Sequence, residues 1–513
     1  SILYKNLNIH YYDKLQVRPN MLYRWMNYQQ FVRNKQMRAS NRTRLYSQYR
    51  QEQVQEKLSQ LGIFSYLDMQ YAPRDTTAAC DTLDVTMQAT FAKPLDAELE
   101  LNVVTKSNDQ TGPGASFGVT RNNVFGGGES WNVKLKGSYE WQTGGGEKSS
   151  LMNSWEMGLS TSLTFPRVVF PHLGKREFDF PATTTFRLYI NQLNRAKYYK
   201  LLSFGGNATY DFQPSRTSRH SITPFKLTFN VLQHQSAEFE KIAEANPALY
   251  VSLRNQFIPA MEYTYTYDNA SVRRIKNPIW WQSTVTSAGN ITSLIYRAFG
   301  KPFNEEDKSL LGAPFAQFVK LNTELRHLWN IDKNNAIASR VAVGALFTYG
   351  NATIAPYSEQ FYVGGANSIR AFTVRSVGPG GYHPEEGKYS YLDQTGTFRF
   401  EANVEYRFRI FKSFWGATFL DAGNVWLLRK DRKLLADGKE ARPDSQLRLK
   451  TFPKQIALGT GVGIRYDMDI LVFRLDFGIP LHLPYDTDRS GYYNVTGAFF
   501  KNLGIHFAIG YPF

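Results

Sequence analysis

From Leu95 onward the chain alternates with a period of two. Leu95, Ala97, Leu99, Leu101 and Val103 are separated by Asp96, Glu98, Glu100 and Asn102; further on, Trp131, Val133, Leu135, Tyr139 and Trp141 are set against Asn132, Lys134, Lys136, Ser138 and Glu140. Such alternation gives a strand one apolar and one polar face. A soluble sandwich alternates in the same way, so length and repetition decide. The runs here are about 10 to 14 residues, against roughly 5 to 6 for soluble strands, and a tilted strand of that length crosses a bilayer. Sixteen are predicted, near 95–106, 114–122, 130–142, 152–165, 183–193, 200–213, 221–234, 256–268, 277–290, 316–329, 335–349, 397–410, 413–427, 455–467, 470–481 and 503–513. An even count is what a closed antiparallel barrel requires if both ends lie on one side of the membrane. The pattern therefore predicts an all-β transmembrane barrel of about 16 antiparallel strands over residues 95–513.

The connections sort by side. Long ones near 235–255, 291–315, 350–396, 428–454 and 482–502 fall on one face, and tight ones near 331–335, 411–412 and 467–469 on the other. Pro166–Pro181 is a long exception that the pattern does not explain. Ser236–Leu253 has helical spacing and predicts a short surface helix.

Residues 1–94 are organised differently. Asn8–Tyr12 predicts a strand, Asn20–Asn34 a helix, and Asn41–Leu61 a second helix with Leu45, Tyr49, Val54, Leu58 and Leu61 on one face. Asn41 is a plausible N-cap and Gly62 a stop. Strands at Phe64–Tyr71 and Thr82–Phe91 complete a small α+β domain.

Composition then narrows the class. Mean hydropathy is −0.41 and no apolar run reaches 18 residues, which excludes helical membrane spans, while aromatics make up 15% with 31 Tyr and 36 Phe. That combination suits a membrane barrel. The net charge is +16, but Lys and Arg are scattered and no nucleic-acid motif accompanies them, so a polar lumen, turns and lipid head groups are their expected partners, not nucleic acid. A single Cys80 permits no intramolecular disulfide and is read as a small packing residue. The chain begins at Ser1 without a charged-then-apolar leader, as expected once a signal peptide has been removed.

Candidate chemistry is sparse. Gly114-Ala115-Ser116-Phe117-Gly118 has the spacing of a nucleophile elbow, but that motif needs a strand-to-helix turn and here it enters an alternating strand. Gly126-Gly127-Gly128 lacks the Gly-Lys-Ser/Thr of a phosphate loop. The eight histidines show no paired ligand spacing, and His506 is expected to be a structural hydrogen-bonder on the lumen side. No catalytic residue, metal site or cofactor is predicted, and the chain is not expected to be an enzyme. The glycine-rich segment 350–396 is too long for an ordinary hairpin loop. It carries Arg370 between Ile369 and Phe372, and Glu405 and Asp421 follow in strands. Either Arg370 is solvated on an external loop, or the loop folds inward and its planar fork pairs with those acids. The last run alternates Leu503, Ile505, Phe507, Ile509, Tyr511 and Phe513 with Gly504, His506, Ala508, Gly510 and Pro512. Two glycines and a proline make a poor strand, so its seam with 95–106 is predicted to pair weakly.

The stretch Glu359–Phe372 resembles the loop signature of the BamA/TamA superfamily of outer-membrane assembly barrels: Glu, an aromatic pair, Gly364-Gly365, a spacer, then Ile369-Arg370-Ala371-Phe372, with Ala371 where the family has glycine. Phe419-Leu420-Asp421-Ala422-Gly423 resembles the family's partner motif, and Glu405 its glutamate on the following strand. The order of elements in 1–94 resembles a POTRA domain. The resemblance implies that the loop 350–396 folds into the lumen with Arg370 on Glu405 and Asp421. It also implies a lateral gate between the first strand (Leu99, Leu101, Val103) and the last (Leu503, Ile505, Gly510, Pro512, Phe513), and a C-terminal targeting signal. Expected partners are unfolded outer-membrane protein clients, accessory subunits bound through the POTRA domain, and outer-membrane lipids. The expected location is the bacterial outer membrane with the POTRA domain in the periplasm. A two-partner-secretion transporter is the alternative, though such pores normally carry two POTRA domains and a plug helix. The motifs leave BamA-like and TamA/TamL-like proteins unseparated.

Overall fold

A computed structural model describes residues 1–5, 7–26, 48–77, 80, 82–105, 110–142, 153–170, 182–195, 199–237, 239–241, 256–270, 275–300, 302, 309–310, 313–350, 355–384, 393–430, 440–468 and 472–513. The N-terminal part comprises β1 (Ile2–Tyr4) and β2 (Leu7–Ile9), paired as a hairpin, then α1 (Pro19–Met26) and α2 (Gln48–Gln60), then β3 (Phe64–Pro73) paired with β4 (Leu83–Phe91). The first strand is thus shorter than predicted, and the first helix is present over its described part; 27–34 of that helix, 41–47 of the second and its expected cap Asn41 lie outside the described residues. Val54 and Leu58 bury against Met69 of β3, and Met21, Leu22 and Ile63 form a neighbouring core with Ile9 and Val17. Cys80 is free and half-buried.

The barrel strands are β5 (Leu95–Thr105), β6 (Gln110–Asn122), β7 (Ser130–Gln142), β8 (Ser154–Phe165), β9 (Ala182–Arg195), β10 (Tyr199–Phe212), β11 (Ser218–Gln235), β12 (Gln256–Asp268) and β13 (Ile279–Ala288). A helix α3 (Asn290–Ala298) and the two-residue strands β14 (Ser309–Leu310) and β15 (Ala313–Pro314) interrupt them. The barrel resumes with β16 (Phe318–Asn330), β17 (Asn335–Thr348), β18 (Phe398–Phe411), β19 (Phe414–Trp426), β20 (Ala457–Asp467), β21 (Val472–His482) and β22 (Gly504–Ile509). They form one 16-stranded antiparallel sheet in sequence order. Among the described residues no helix is long and apolar enough to cross a membrane.

The alternation works as a barrel requires. Leu99 and Leu101 are 68% and 76% exposed on the outer wall, whereas Glu405, Asp421, Arg465 and Asp476 are buried inside. Sheet pairing runs from β5 round to β22, but among the described residues no ladder joins β22 to β5. The last strand is also shorter than predicted. It stops at Ile509, because Gly510 turns the chain at φ +85°, a conformation only glycine adopts freely. Tyr511–Phe513 therefore leave the sheet, and Phe513 does not continue the outward row of Ile505, Phe507 and Ile509. Its carbonyl instead accepts a bond from Arg407 Nη2 at 3.3 Å, and its ring lies 6.0 Å from the Arg370 guanidinium.

Turns at one end carry the N-terminal domain. Arg18 N donates to Gly126 O at 2.7 Å, Asn123 Nδ2 to Gln16 O at 2.7 Å, and Asn122 N to Pro94 O at 2.7 Å. Gly126-Gly127-Gly128 is this docking turn. The same end has the tight turn at 331–335, where Asn334 N and Asn335 donate to Asp332 and hold its carboxyl below the usual carboxylate range. The long exception after Pro166 is pinned at its start by the buried Thr184 hydroxyl, which donates to Arg167 O at 2.8 Å and accepts from Val169 N; 171–181 lie outside the described residues. At the opposite end, the predicted helix over 236–253 begins as one turn (Glu240 N to Ser236 O, 2.9 Å) and mostly lies outside them too. Helix α3, within a predicted loop, exposes Ile291, Leu294, Ile295 and Phe299 while burying Thr292 and Ser293.

Candidate functional site

The loop between β17 and β18 returns into the barrel. Phe361 forms an isolated bridge with Gly396, and Phe361, Val363, Ile369, Ala371, Phe372 and Val377 join one buried cluster with Phe318, Leu346 and Val425 of the wall. Gly364 and Gly365 make the turn at φ +106° and +92°, and a Cβ at Gly364 would lie 2.1 Å from Thr373 O. Glycine is therefore required there on two counts. Ser368 closes the turn by accepting from Gly364 N at 2.9 Å and donating to Glu401 Oε2 at 2.6 Å.

This turn delivers Arg370 to the lumen at 0% exposure. Its Nε and Nη2 donate to the two oxygens of Asp421 at 2.8 and 2.9 Å, and its backbone N donates to the same carboxylate at 3.0 Å. Nη1 donates to Glu405 Oε2, and the guanidinium stacks 3.6 Å from the Phe419 ring centroid. The fork thus grips one carboxylate bidentately and bridges to a second, with an aromatic face beneath.

Several partners had no motif to signal them. Glu405 also accepts from Arg407 Nε at 2.8 Å and Arg465 Nη2 at 3.0 Å. Arg465 reaches Asp476 at 2.6 Å, and Arg474 of β21 reaches back to the loop, donating to Ala366 O at 3.0 Å and Asn367 Oδ1 at 2.6 Å. Asn403 joins Asp421 Oδ1 to Ser368 O, and Arg340 joins Glu401 and Glu324 to Asn367 O. Only inward placement in the strand alternation hinted at these residues. The lumen core sets Arg370, Arg407, Arg465 and Arg474 against Glu405, Asp421 and Asp476. Buried charges persist only when paired in this way.

The last strands explain their small residues here. His506 Nε2 donates to Arg370 O at 2.7 Å, and a Cβ at Gly478 or Gly504 would lie 2.7 or 3.3 Å from that same oxygen. Ala371 packs likewise: a Cβ at Gly459 would come within 2.3 Å of its methyl. The loop has a methyl where the resembled motif has glycine, and the facing strand β20 has the glycine that receives it. Ala371 does not take a positive φ. Gly423 lets β18 and β19 approach, since a Cβ there would meet Phe400 O at 2.8 Å.

The remaining predicted residues lie at the seam. Leu99 and Leu101 face outward on β5, and Val103 pairs with Pro113. Leu503 precedes β22, Ile505 faces outward, Gly510 ends the strand, and Pro512 is buried. Ser116, the serine of the Gly-x-Ser-x-Gly stretch, lies mid-strand and donates to Glu100 Oε2 at 3.1 Å.

A loop arginine locked on two strand carboxylates beneath a Gly-Gly turn, inside a 16-stranded barrel, accords with the family comparison: residues 123–513 match the Omp85 superfamily domain. The chain belongs to the Omp85 superfamily. Membership implies an outer-membrane location. The fold is similar to that of BamA from Haemophilus ducreyi lacking POTRA domains 1–3, with TM-score 0.60 and 14% identity, covering 96% of this chain and 81% of that one. CdiB from Acinetobacter baumannii gives TM-score 0.47 at 13% identity over 91% and 68% of the two chains. CdiB from Escherichia coli gives 0.44 at 12% over 89% and 69%.

Proposed function

We propose that this Omp85 protein catalyses insertion and folding of client β-barrel proteins, without covalent chemistry, through a lateral gate between β5 and β22. The observation that carries the reading is the seam. Pairing of β22 spans only Phe473–Gly478 against Ile509–Gly504, the chain leaves the wall at Gly510, and no ladder joins β22 to β5 among the described residues. An unpaired edge is a template for strand addition. Client strands would pair with β5 and be released as the growing sheet closes on itself.

In this reading residues 1–94 are a POTRA-like periplasmic domain that presents clients or accessory subunits to the barrel mouth. Two-stranded β3–β4 offers a sheet edge for that purpose, and its docking on the turn 123–129 supports a hand-over near the seam. The lumen lock keeps the loop from leaving the barrel while the seam works, and His506 ties the last strand to it. The competing reading, export of a polypeptide through the lumen as in two-partner secretion, has less room, because the loop and its charge network occupy that path.

The test is a reversible lock. In a Cys80→Ser background, one cysteine within 95–103 and one within 504–509 are joined by a disulfide, and folding of a client barrel into liposomes is followed by its heat-modifiable gel mobility. Assembly is expected to stop on oxidation and return on reduction. Unchanged assembly with the seam locked refutes the lateral route.

A further inference from the structure

The outer wall is not evenly filled. Between β8 and β11 an apolar furrow of about 920 Å³ opens toward the bilayer, within the usual range of roughly 300–1,000 Å³ for ligand sites. Its floor is Gly206 and Ala208 of β10. Its sides follow from the register: Gly206 sits between Leu188 and Leu227, and Ala208 between Phe186 and Phe225. Leu188 and Phe225 are 64% and 62% exposed, so the sides stand out into the hydrocarbon. The stacked pair Phe204–Phe229, centroids 5.1 Å apart, closes the upper end. The other end runs to Trp131 and Phe125, at the turn that receives the N-terminal domain.

Two glycines in mid-strand need a reason, and they have different ones. Gly205 faces the lumen, where a Cβ would lie 2.9 Å from the Tyr189 hydroxyl that bonds Thr228 at 2.9 Å. Gly206 faces the bilayer and does nothing for that contact. Its absent side chain keeps the floor low, with Leu188 Cδ2 leaning over it 2.7 Å from where a Cβ would stand.

Charge lies along the same row. Cross-strand pairing aligns Arg121, Trp131, Leu163, Phe186, Ala208 and Phe225 on the outer face. Arg121, one residue from the end of β6, is exposed. An outward cation costs little at the membrane interface and can reach a phosphate there, and tryptophan belongs at the same depth. We infer that this furrow seats one acyl chain of a bilayer glycerophospholipid, in the leaflet on the side of the N-terminal domain, with its phosphate directed to Arg121. Bulk lipid covers any barrel; here the floor, sides, end and cation select a position.

The full chain in liposomes of phosphatidylethanolamine and phosphatidylglycerol is tested with a phosphatidylglycerol probe bearing a diazirine at the end of one acyl chain, with labelled peptides mapped by mass spectrometry. Label is expected to concentrate on 186–188, 204–208 and 225–227 rather than on outward residues of β16 such as Leu321 and Leu325. Ala208→Phe, which fills the floor, should lower it to the level of the rest of the wall. Arg121→Glu should lower it about fivefold or more, the ratio equivalent to about 1 kcal/mol per basic residue at a membrane surface. Uniform label round the wild-type wall overturns the inference, whether or not the variants fold. So does label unmoved by Ala208→Phe, or a second polypeptide crosslinked at the furrow in place of lipid.

Discussion

Arg370 concentrates the electrostatics of the lumen in one side chain. Its removal leaves Asp421 with two neutral donors, the backbone N of residue 370 and Asn403, and no cation, whereas Glu405 keeps Arg407 and Arg465. Arg370→Ala is therefore expected to destabilise the barrel by about 3–5 kcal/mol, the cost of a buried charge left unpaired. Thermal unfolding in detergent measures it. Arg370→Lys should retain part of the stability, since a point charge replaces the fork, and adding Asp421→Asn to Arg370→Ala should recover part of the loss. A double variant as unstable as Arg370→Ala alone would mean that the acid is not what suffers. The Ala371–Gly459 contact gives a second test at this scale. Gly459→Ala places two methyl carbons 2.3 Å apart and should cost about 1–3 kcal/mol by overpacking. Ala371→Gly in the same chain should remove most of that cost, and no such rescue would show that the strain lies elsewhere.

At the scale of elements, the strands were readable because burial and lipid exposure impose one period on all of them. The sixteen predicted runs coincide with the observed strands to within a few residues, apart from the late-starting 114–122 (β6 begins at Gln110) and the early-ending last one. The departures have local causes. A glycine at φ +85° ended β22 early, and alternation in Tyr511 and Phe513 could not reveal that their partner is Arg407. Helix α3 was missed because its apolar residues face outward, so that Ile291, Leu294, Ile295 and Phe299 sit in a segment where the pattern predicted a loop. Of the lumen site, Arg370, Glu405 and Asp421 were legible through a motif, and His506 through its inward parity. Arg465, Asp476 and Arg474 were not, since in sequence they are ordinary inward polar residues and only the closure of the sheet brings them together. Element behaviour is testable at the tail. Gly510→Val disfavours the left-handed turn by roughly 1–2 kcal/mol. It should release Phe513 from Arg407, seen as greater protease access to 511–513, and unchanged access would mean that the turn does not hold the tail.

The whole molecule combines a rigid interior with a weak join. Among the described residues fifteen of the sixteen possible neighbour pairings are made, the lumen is tied from β16 to β21 by paired charges and to β22 by the His506 hydrogen bond, and the loop rests on the small inner faces of β20–β22. In the proposed mode of action this interior would hold the wall together while the seam opens to a client strand. The most direct measurement is photocrosslinking during client assembly, with a photoreactive residue placed in turn at Ala97, Leu101 and Ile505 along the seam, and at Asn207 and Gln282 in the lumen. The account predicts client adducts at the seam positions and few at the lumen positions. Adducts chiefly at Asn207 and Gln282 would contradict it and point to passage through the bore.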